Sequence, residues 1–244
     1  AAIYSDGFAE TGAEGRRIQE DMVKMARDGG LRIIGPNSMG AIDVGAGAAI
    51  TVNAALEVPE IKPGSLGVVS QSGTILGTLI SRGTARGQKF SRLVSIGNEA
   101  DLTVGEVGDM LVEDPNTRAI LLFLETIRDP VSLAAMARRA YDAGKPVIAY
   151  KLGRSEAGRE LALSHSGALA GDDRAADAFF RQHGILRVSM LETLFELPAL
   201  VMGRKPMTGK RVGVLTTTGG GAATVVDQLG AKGIELISAP APLR

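Results

Sequence analysis

The chain has 244 residues, which is long enough for one large or two modest domains with a substantial hydrophobic core. Lys and Arg total 27, and Asp and Glu also total 27, so no surplus of positive charge favours a nucleic-acid backbone or an anionic membrane surface. The absence of cysteine excludes disulfides, thiolate metal sites and thiol nucleophiles, and it favours a cytoplasmic location.

Short β-branched segments alternate with helical patterns along the chain, which is typical of βαβ units in a doubly wound parallel sheet of an α/β protein. Strands are predicted near residues 1–5, 32–34, 66–69, 93–96, 119–124, 147–150, 186–188, 212–215 and 235–237. Helices are predicted near residues 14–27, 74–86, 104–112, 131–143, 174–182, 191–202 and 222–229. The longest apolar run, 119–124, is far shorter than the roughly 20 residues that a membrane-spanning helix needs.

Two proline-containing segments, 58–64 and 203–209, lack periodicity and predict boundaries between domains. The block between them, 62–205, has the elements of a complete doubly wound domain with five or six strands. The last segment supplies only one β-α-β unit, which cannot cover both faces of its sheet. We therefore expect a piece of a longer polypeptide, or a subunit that a partner completes.

Ligands of doubly wound sheets bind beyond the carboxyl ends of the strands, so the residues after each predicted strand are candidates for a site. The strand at 66–69 is followed by small and polar residues before a helix begins: Ser70, Gln71, Ser72, Gly73 and Thr74. Their hydroxyls, with the free N–H groups of a helix start, suit a phosphate. A serine N-cap with a glycine turn explains the local pattern equally well.

A second candidate follows the strand at 212–215, where residues 216–221 comprise three threonines and then three glycines before a helix. No Gly-Lys-Ser/Thr follows, so this is not a Walker A loop, and Thr224 replaces the third glycine of a dinucleotide fingerprint. The pattern favours a generic anion cradle over a plain tight turn. Its residues include Thr217, Thr218, Gly219, Gly220 and Gly221.

His165 and Glu125 are the candidates for catalytic chemistry. His165 lies among small residues that do not indicate a packed core, but a lone histidine is more often structural or solvated than catalytic. The only other histidine is His183, 18 residues away, so the sequence predicts no metal site. Glu125 ends the strand at 119–124 and could accept a hydrogen bond from an imidazole nitrogen, or it could cap a helix or pair with Arg128.

Seven segments resemble segments of the NDP-forming acyl-CoA synthetases and occur in the same order. This superfamily includes ADP-forming acetate-CoA ligase and the α-subunit of succinyl-CoA ligase. The segments are GFAETG (7–12), GLRIIGPNSMG (30–40), KPGSLGVVSQSGT (62–74), SIGNEAD (95–101), FLETIRD (123–129), KPVIAYKLGRSEAG (145–158) and LSHSGALAG (163–171). Together they extend the resemblance over essentially the whole chain.

The resemblance implies three parts. Residues 1–58 resemble the C-terminal half of a CoA-binding Rossmann-like domain, and residues 62–205 resemble a flavodoxin-like ligase domain that carries a phosphohistidine loop. Residues 209–244 resemble the start of a second flavodoxin-like domain, which is incomplete. The family's amino-terminal Gly-rich CoA loop and its ATP-grasp domain are not in the sequence.

The same resemblance implies roles for individual residues. His165 matches the histidine that is transiently phosphorylated, and Glu125 matches the acidic residue that orients it. The two anion cradles match the helix ends between which the phosphohistidine loop moves. The region that binds CoA and acyl phosphate is expected to be bordered by Gly35, Pro36, Asn37, Gly97 and Asn98.

The implied reaction interconverts acyl-CoA, phosphate and NDP with a carboxylic acid, CoA and NTP. CoA is the expected ligand of this chain, whereas ATP or ADP and Mg²⁺ would bind only through an ATP-grasp domain or a β-type partner subunit. A homodimer or a hetero-oligomer is implied. The alternatives are a non-catalytic regulatory module that senses CoA or acyl-CoA, and a scaffold subunit for an ATP-grasp partner.

Overall fold

The computed structural model describes residues 1–54, 61–158, 172–204, 209 and 211–237. The chain divides into two compact units, Ala1–Gly203 and Arg204–Arg244. Residues on both sides of the predicted boundary segment 58–64 belong to the first unit, and a domain division there stays a prediction.

The first unit contains seven strands and seven helices among its described residues. The strands are β1 (Gly40–Asp43), β2 (Ala48–Thr51), β3 (Pro63–Ser70), β4 (Phe90–Ser95), β5 (Ala119–Leu124), β6 (Val147–Lys151) and β7 (Leu186–Val188). The helices are α1 (Ala13–Asp28), α2 (Gly73–Ala85), α3 (Val104–Glu113), α4 (Pro130–Asp142), α5 (Asp173–Gln182), α6 (Leu191–Glu196) and α7 (Pro198–Val201), and a 3₁₀ turn spans Ala9–Thr11. The described part of the second unit contains β8 (Arg211–Val212), α8 (Gly219–Ala231) and β9 (Glu235–Leu236).

The strands of the first unit form one sheet in the order β2-β1-β4-β3-β5-β6-β7. Every neighbouring pair from β4 to β7 is parallel. Counted from β3, the parallel part has the order 2-1-3-4-5, which is that of a flavodoxin-like sheet. The predicted α/β class with a parallel sheet is therefore confirmed, and the sheet has its topological switch point between β3 and β5.

The parallel strands are covered by helices on both faces, which explains their continuous apolar sequences. All six residues of β5 are buried. On one face the core joins Leu122 to side chains of α3, α4 and α5, and on the other it joins Leu121 to side chains of α2 and α6. No helix in the described part of the chain is both long and apolar enough to cross a bilayer.

Two strands, β1 and β2, were not predicted. They pair with each other in antiparallel fashion, and β1 also pairs antiparallel with β4. Each has only four residues, which is too short for an alternating pattern to stand out. The strands predicted at 1–5 and 32–34 are wrong in extent, because the structure has only a bridge between Ala2 and Ile34. The chain then turns at Gly35, which has φ of 103°, and Pro36 has no N–H to continue the pairing.

The helix predicted at 191–202 is also wrong as one element. It consists of α6 and α7, and Pro198 begins the second because proline cannot donate the hydrogen bond that would continue the first. The remaining predicted helices and strands differ from the observed ones by three residues or fewer at either end.

Candidate functional site

The first candidate site lies at the switch point, where the carboxyl ends of β3 and β5 are adjacent. Ser70 ends β3 beside Phe123 of β5, and the backbone N–H of Gln71 still donates to the Phe123 carbonyl over 3.0 Å. Immediately beyond this bond the chain after β3 turns into α2, while the chain after β5 continues to Glu125. Both segments are buried at this point, since Gln71 is 7% exposed and Glu125 is 8% exposed.

The side chain of Gln71 spans this junction. Its Oε1 accepts hydrogen bonds from the backbone N–H groups of Glu125 (2.6 Å) and Thr126 (3.0 Å). Its Nε2 donates to Glu99 Oε2 (2.7 Å) and to the Thr126 carbonyl (2.9 Å). A glutamine side chain offers two acceptor positions and two donor hydrogens, so every position of the amide is used. Gln71 therefore fixes the backbone that carries Glu125.

The start of α2 has the geometry of a serine N-cap. Ser72 Oγ accepts from the backbone N–H of Ile75 over 3.3 Å, and Ser70 Oγ donates to the Ser72 carbonyl over 2.6 Å. A Cβ on Gly73 would lie 2.2 Å from Met39 Cγ, so close packing explains this glycine. The N-cap interpretation is confirmed, and phosphate binding by Ser70, Gln71, Ser72, Gly73 and Thr74 stays a prediction.

Two loops that the sequence singled out pack directly against each other. The backbone N–H of Asn98 donates to the Pro36 carbonyl over 2.9 Å, and that of Ala100 donates to the Gly35 carbonyl over 3.2 Å. A Cβ on Gly97, which has φ of 57°, would lie 2.1 Å from the Pro36 carbonyl oxygen. This position strongly favours glycine, because it combines a left-handed backbone with a backbone atom that would have to shift to admit a Cβ.

A small pocket opens at the switch point between these loops and the end of β5. Its lining combines residues from all three predicted groups with two more: Asn37, Gln71, Gly97, Asn98, Glu125, Thr126 and Arg128. Asn37 Nδ2 donates to Asn98 Oδ1 over 3.4 Å, and Asn98 Nδ2 donates to Gln19 Oε1 over 3.0 Å, which ties the pocket to α1. The structure thus brings together the candidate catalytic carboxylate and the candidate ligand-binding loops.

The guanidinium of Arg128, a residue of the pocket lining, lies near the carboxylates of Glu99 and Glu125. Burial lowers the pKa of Arg128, and the charge of Arg16 acts in the same direction, whereas Glu99 and Glu125 oppose the shift. Arginine nevertheless stays protonated at any physiological pH. Burial raises the pKa of Glu99, while hydrogen bonds from the Val104 backbone and Gln71 and the charge of Arg128 act against that rise.

Sequence reasoning missed Glu99 and Thr126, and it mentioned Arg128 only as an alternative partner of Glu125. The available signal was their place in the segments 95–101 and 123–129, directly after predicted strands. Glu99 has φ of 54°, and this left-handed backbone cannot be inferred from the sequence around it.

Other candidates lie elsewhere. His165 falls within 159–171, outside the described residues. The second candidate cradle belongs to the second compact unit, and its glycines form the first turn of α8 rather than a turn that precedes it. Glycine adopts both turn and helical backbone conformations. The run of three glycines therefore did not indicate at which residue the helix begins. Among the described residues, no group of three or more His, Asp or Glu side chains is arranged to hold a metal ion.

Comparison with known proteins identifies the family. Residues 63–201 match the succinyl-CoA ligase-like flavodoxin domain, and the chain belongs to this family, which confirms the predicted resemblance. It is 33% identical to the α-subunit of ADP-forming acetate-CoA ligase I of Pyrococcus furiosus, over 96% of this chain and 50% of that protein. It is 30% identical to ADP-forming 4-hydroxybutyrate-CoA ligase of Nitrosopumilus maritimus, over 91% of this chain and 32% of that protein.

A solved structure agrees with these relatives. The dinucleotide-forming acetyl-coenzyme A synthetase 1 of Candidatus Korarchaeum cryptofilum, in complex with phosphate and ADP, superposes with a TM-score of 0.86 at 30% identity. The match covers 98% of this chain and 51% of that one. The chain spans between 32% and 51% of the length of the relatives named here.

Proposed function

We propose that this member of the succinyl-CoA ligase-like flavodoxin family is a module of an NDP-forming acyl-CoA synthetase. The reaction interconverts acyl-CoA, phosphate and NDP with a carboxylic acid, CoA and NTP. The observation that carries the proposal is the switch-point pocket, in which Gln71, Asn98 and Glu125 meet. Relatives named as ADP-forming CoA ligases, which match nearly the whole chain, support it.

The proposed chemistry has three transfers. A phosphate oxygen attacks the thioester carbonyl, which releases CoA and gives an acyl phosphate. A neutral imidazole nitrogen of His165 then attacks phosphorus, and the carboxylate leaves as the acid. The resulting phosphohistidine finally transfers its phosphoryl group to NDP, and the histidine is restored.

The described residues suit the anionic part of this reaction. Asn37 and Arg128, whose side chains can donate hydrogen bonds to a phosphate, are among the residues that line the pocket. The start of α2 follows Gln71 after one residue, and the positive end of a helix stabilises a nearby phosphoryl group with little rearrangement. In this proposal Glu125 accepts a hydrogen bond from one imidazole nitrogen of His165, which leaves the other nitrogen free to attack.

The nucleotide and Mg²⁺ are proposed to bind to another part of the assembly, either an ATP-grasp domain or a β-type subunit. The name of the Pyrococcus furiosus relative, a subunit alpha, and the ADP complex of a chain about twice as long both support this division. The proposed parts of this chain remain 1–58, 62–205 and 209–244. The proposed second phosphate site consists of Thr217, Thr218 and Gly219–Gly221. The proposed assembly is a homodimer or a hetero-oligomer.

The first test is intact-mass analysis of the full-length protein, or of this chain with its partner, after incubation with Mg-ATP. We expect one acid-labile phosphoryl group in the wild type and in His183→Ala, and none in His165→Ala. His183 is a matched control because it is the other histidine and follows the end of α5. A wild type that binds nucleotide but takes up no phosphoryl group would contradict the proposal, and tight acyl-CoA binding without turnover would then favour a sensing module.

A further inference from the structure

Glu99 is a buried carboxylate in an unusual backbone conformation. It is 8% exposed, and it lies between β4 and α3 with φ of 54°. A residue with a side chain rarely adopts this left-handed region, and doing so costs about 1 kcal/mol or more. Such a conformation persists only where the surrounding contacts hold it, and it often occurs at functional sites.

Both oxygens of the Glu99 carboxylate accept short hydrogen bonds. Oε1 accepts from the backbone N–H of Val104, the first residue of α3, over 2.6 Å. Oε2 accepts from Gln71 Nε2 over 2.7 Å. The carboxylate therefore connects the start of α3 to the residue that spans the switch point.

Glu99 favours the same orientation of the Gln71 amide as the backbone of Glu125 and Thr126 does. An ionised carboxylate can accept hydrogen bonds but cannot donate them, so the Gln71 nitrogen must face it. Gln71 Oε1 is then directed to the backbone N–H groups of Glu125 and Thr126. A reversed amide would place oxygen against the Glu99 carboxylate and nitrogen against those two donors.

We propose that Glu99 is a positioning residue, which acts through the Gln71 amide to fix the backbone of Glu125 and Thr126 and thereby the direction of the Glu125 carboxylate. The inference rests on the proposed function, in which Glu125 orients His165. Glu99 lines no part of the switch-point pocket, so its contribution is to geometry and not to contact with substrate.

The test compares Glu99→Gln with the wild type in the full-length protein or complex. Val104 and Gln71 donate to different oxygens of Glu99, and a glutamine keeps an acceptor at only one of those two positions, because the other carries an NH₂ group. We expect hydrogen–deuterium exchange to become at least tenfold faster in the peptide that contains the amides of Glu125 and Thr126. The single-turnover rate of phosphoryl incorporation from Mg-ATP should fall about tenfold or more, because misplacing a catalytic group by about 1 Å can cost a hundredfold. CoA affinity should change less than about twofold, since no CoA contact is assigned to Glu99.

Glu106→Gln is the matched control, because Glu106 is also at the start of α3 but bonds to Thr103 and Arg32 instead of Gln71. It should leave both the exchange at Glu125 and Thr126 and the phosphorylation rate unchanged. Glu99→Asp keeps the charge and both acceptors on a shorter side chain, and should give intermediate values. This variant provides the test should Glu99→Gln fail to fold.

Wild-type exchange at Glu125 and Thr126 in Glu99→Gln would overturn the proposal, as would faster exchange with a wild-type phosphorylation rate. Equal losses of rate in Glu99→Gln and Glu106→Gln would also overturn it, because they would indicate a general defect of α3. If the wild type itself takes up no phosphoryl group, the proposed function fails. The exchange measurement still decides whether Glu99 fixes the backbone through Gln71.

Discussion

At two places the chain passes from a strand through a short polar segment into a helix that begins with glycine. The capping and packing contacts at these two helix starts differ. At the first, Ser72 caps α2 and Gly73 packs against Met39. At the second, Thr218 precedes α8 without a side-chain capping bond, and a Cβ on Gly219 would meet nothing within 4 Å of the described chain. No described residue of α8 is buried.

The comparison shows that similar sequence patterns can have different physical causes. At the first junction, packing within the unit itself requires the small residue. At the second, the described contacts do not require glycine at positions 219 and 220, so any requirement there would come from what approaches the helix start. Substitutions can separate these two cases.

The largest expected effect is that of Gly97→Ala, which belongs to the tightly packed first unit. The added Cβ would lie 2.1 Å from a backbone oxygen at a left-handed position, so we expect about 3 kcal/mol of destabilisation. Gly233→Ala in the second unit has a comparable φ of 71° and nothing within 4 Å, and should cost only about 1 kcal/mol. Urea unfolding followed by circular dichroism measures both, and equal losses would show that the Pro36 carbonyl yields freely.

The next effect contrasts Gly73→Ala with Gly219→Ala. The first creates a 2.2 Å contact with Met39 Cγ and should destabilise the protein by about 2 kcal/mol. The second adds a good helix former in open space and should stabilise α8 by about 0.5 kcal/mol. Thermal and urea unfolding should therefore shift in opposite directions. Shifts of the same sign would show that the two glycines are under the same constraint.

A smaller effect is expected from removing the hydroxyls that precede the two helices. Ser72→Ala removes the bond accepted from Ile75 and should cost about 1 kcal/mol, which is typical of a lost N-cap. Thr218→Ala removes no capping bond and should change stability by less than about 0.5 kcal/mol. Native-state hydrogen exchange in the first turn of each helix gives the measurement. A loss at Thr218 as large as that at Ser72 would contradict the comparison.

The smallest effect concerns Asp129, which caps α4 after the switch point. Hydrogen bonds donated by Ser132 and Val131 lower the pKa of this carboxyl below its unfolded value. Its ionised form therefore contributes stability above the unfolded pKa of about 3.9, and that contribution is lost as pH falls through the folded pKa. Asp129→Asn keeps the cap but not the charge, so it should be about 0.5 kcal/mol less stable at pH 7. The difference should shrink in urea titrations as pH falls through the folded pKa, and a gap that widens in acid would contradict the assignment.

The parallel part of the fold could be predicted because its strands are buried on both faces. The run at 119–124 has six consecutive apolar residues, and its predicted and observed bounds coincide. The antiparallel pair β1 and β2 could not be predicted in this way. Their pairing depends on the position of β4, which is distant in sequence, and their short apolar segments resemble loop sequence.

The site could be predicted in part for the same reason. Gln71 and Glu125 follow strands that are adjacent in the sheet, and the carboxyl ends of parallel strands meet at one edge. Glu99 could not be assigned, because its importance depends on the direction of one amide and on a left-handed backbone. Neither property follows from local sequence patterns.

The antiparallel hairpin of β1 and β2 also protects the sheet from association with other chains. Without it, β4 would expose a row of unpaired backbone N–H and C=O groups along six residues, which is a template for strand addition. With it, the outer strands of the described sheet are β2 and β7, with four and three residues. A truncated protein that began at residue 62 would retain the flavodoxin-like strand order but leave β4 as an edge strand, and we expect it to aggregate more readily than the longer chain.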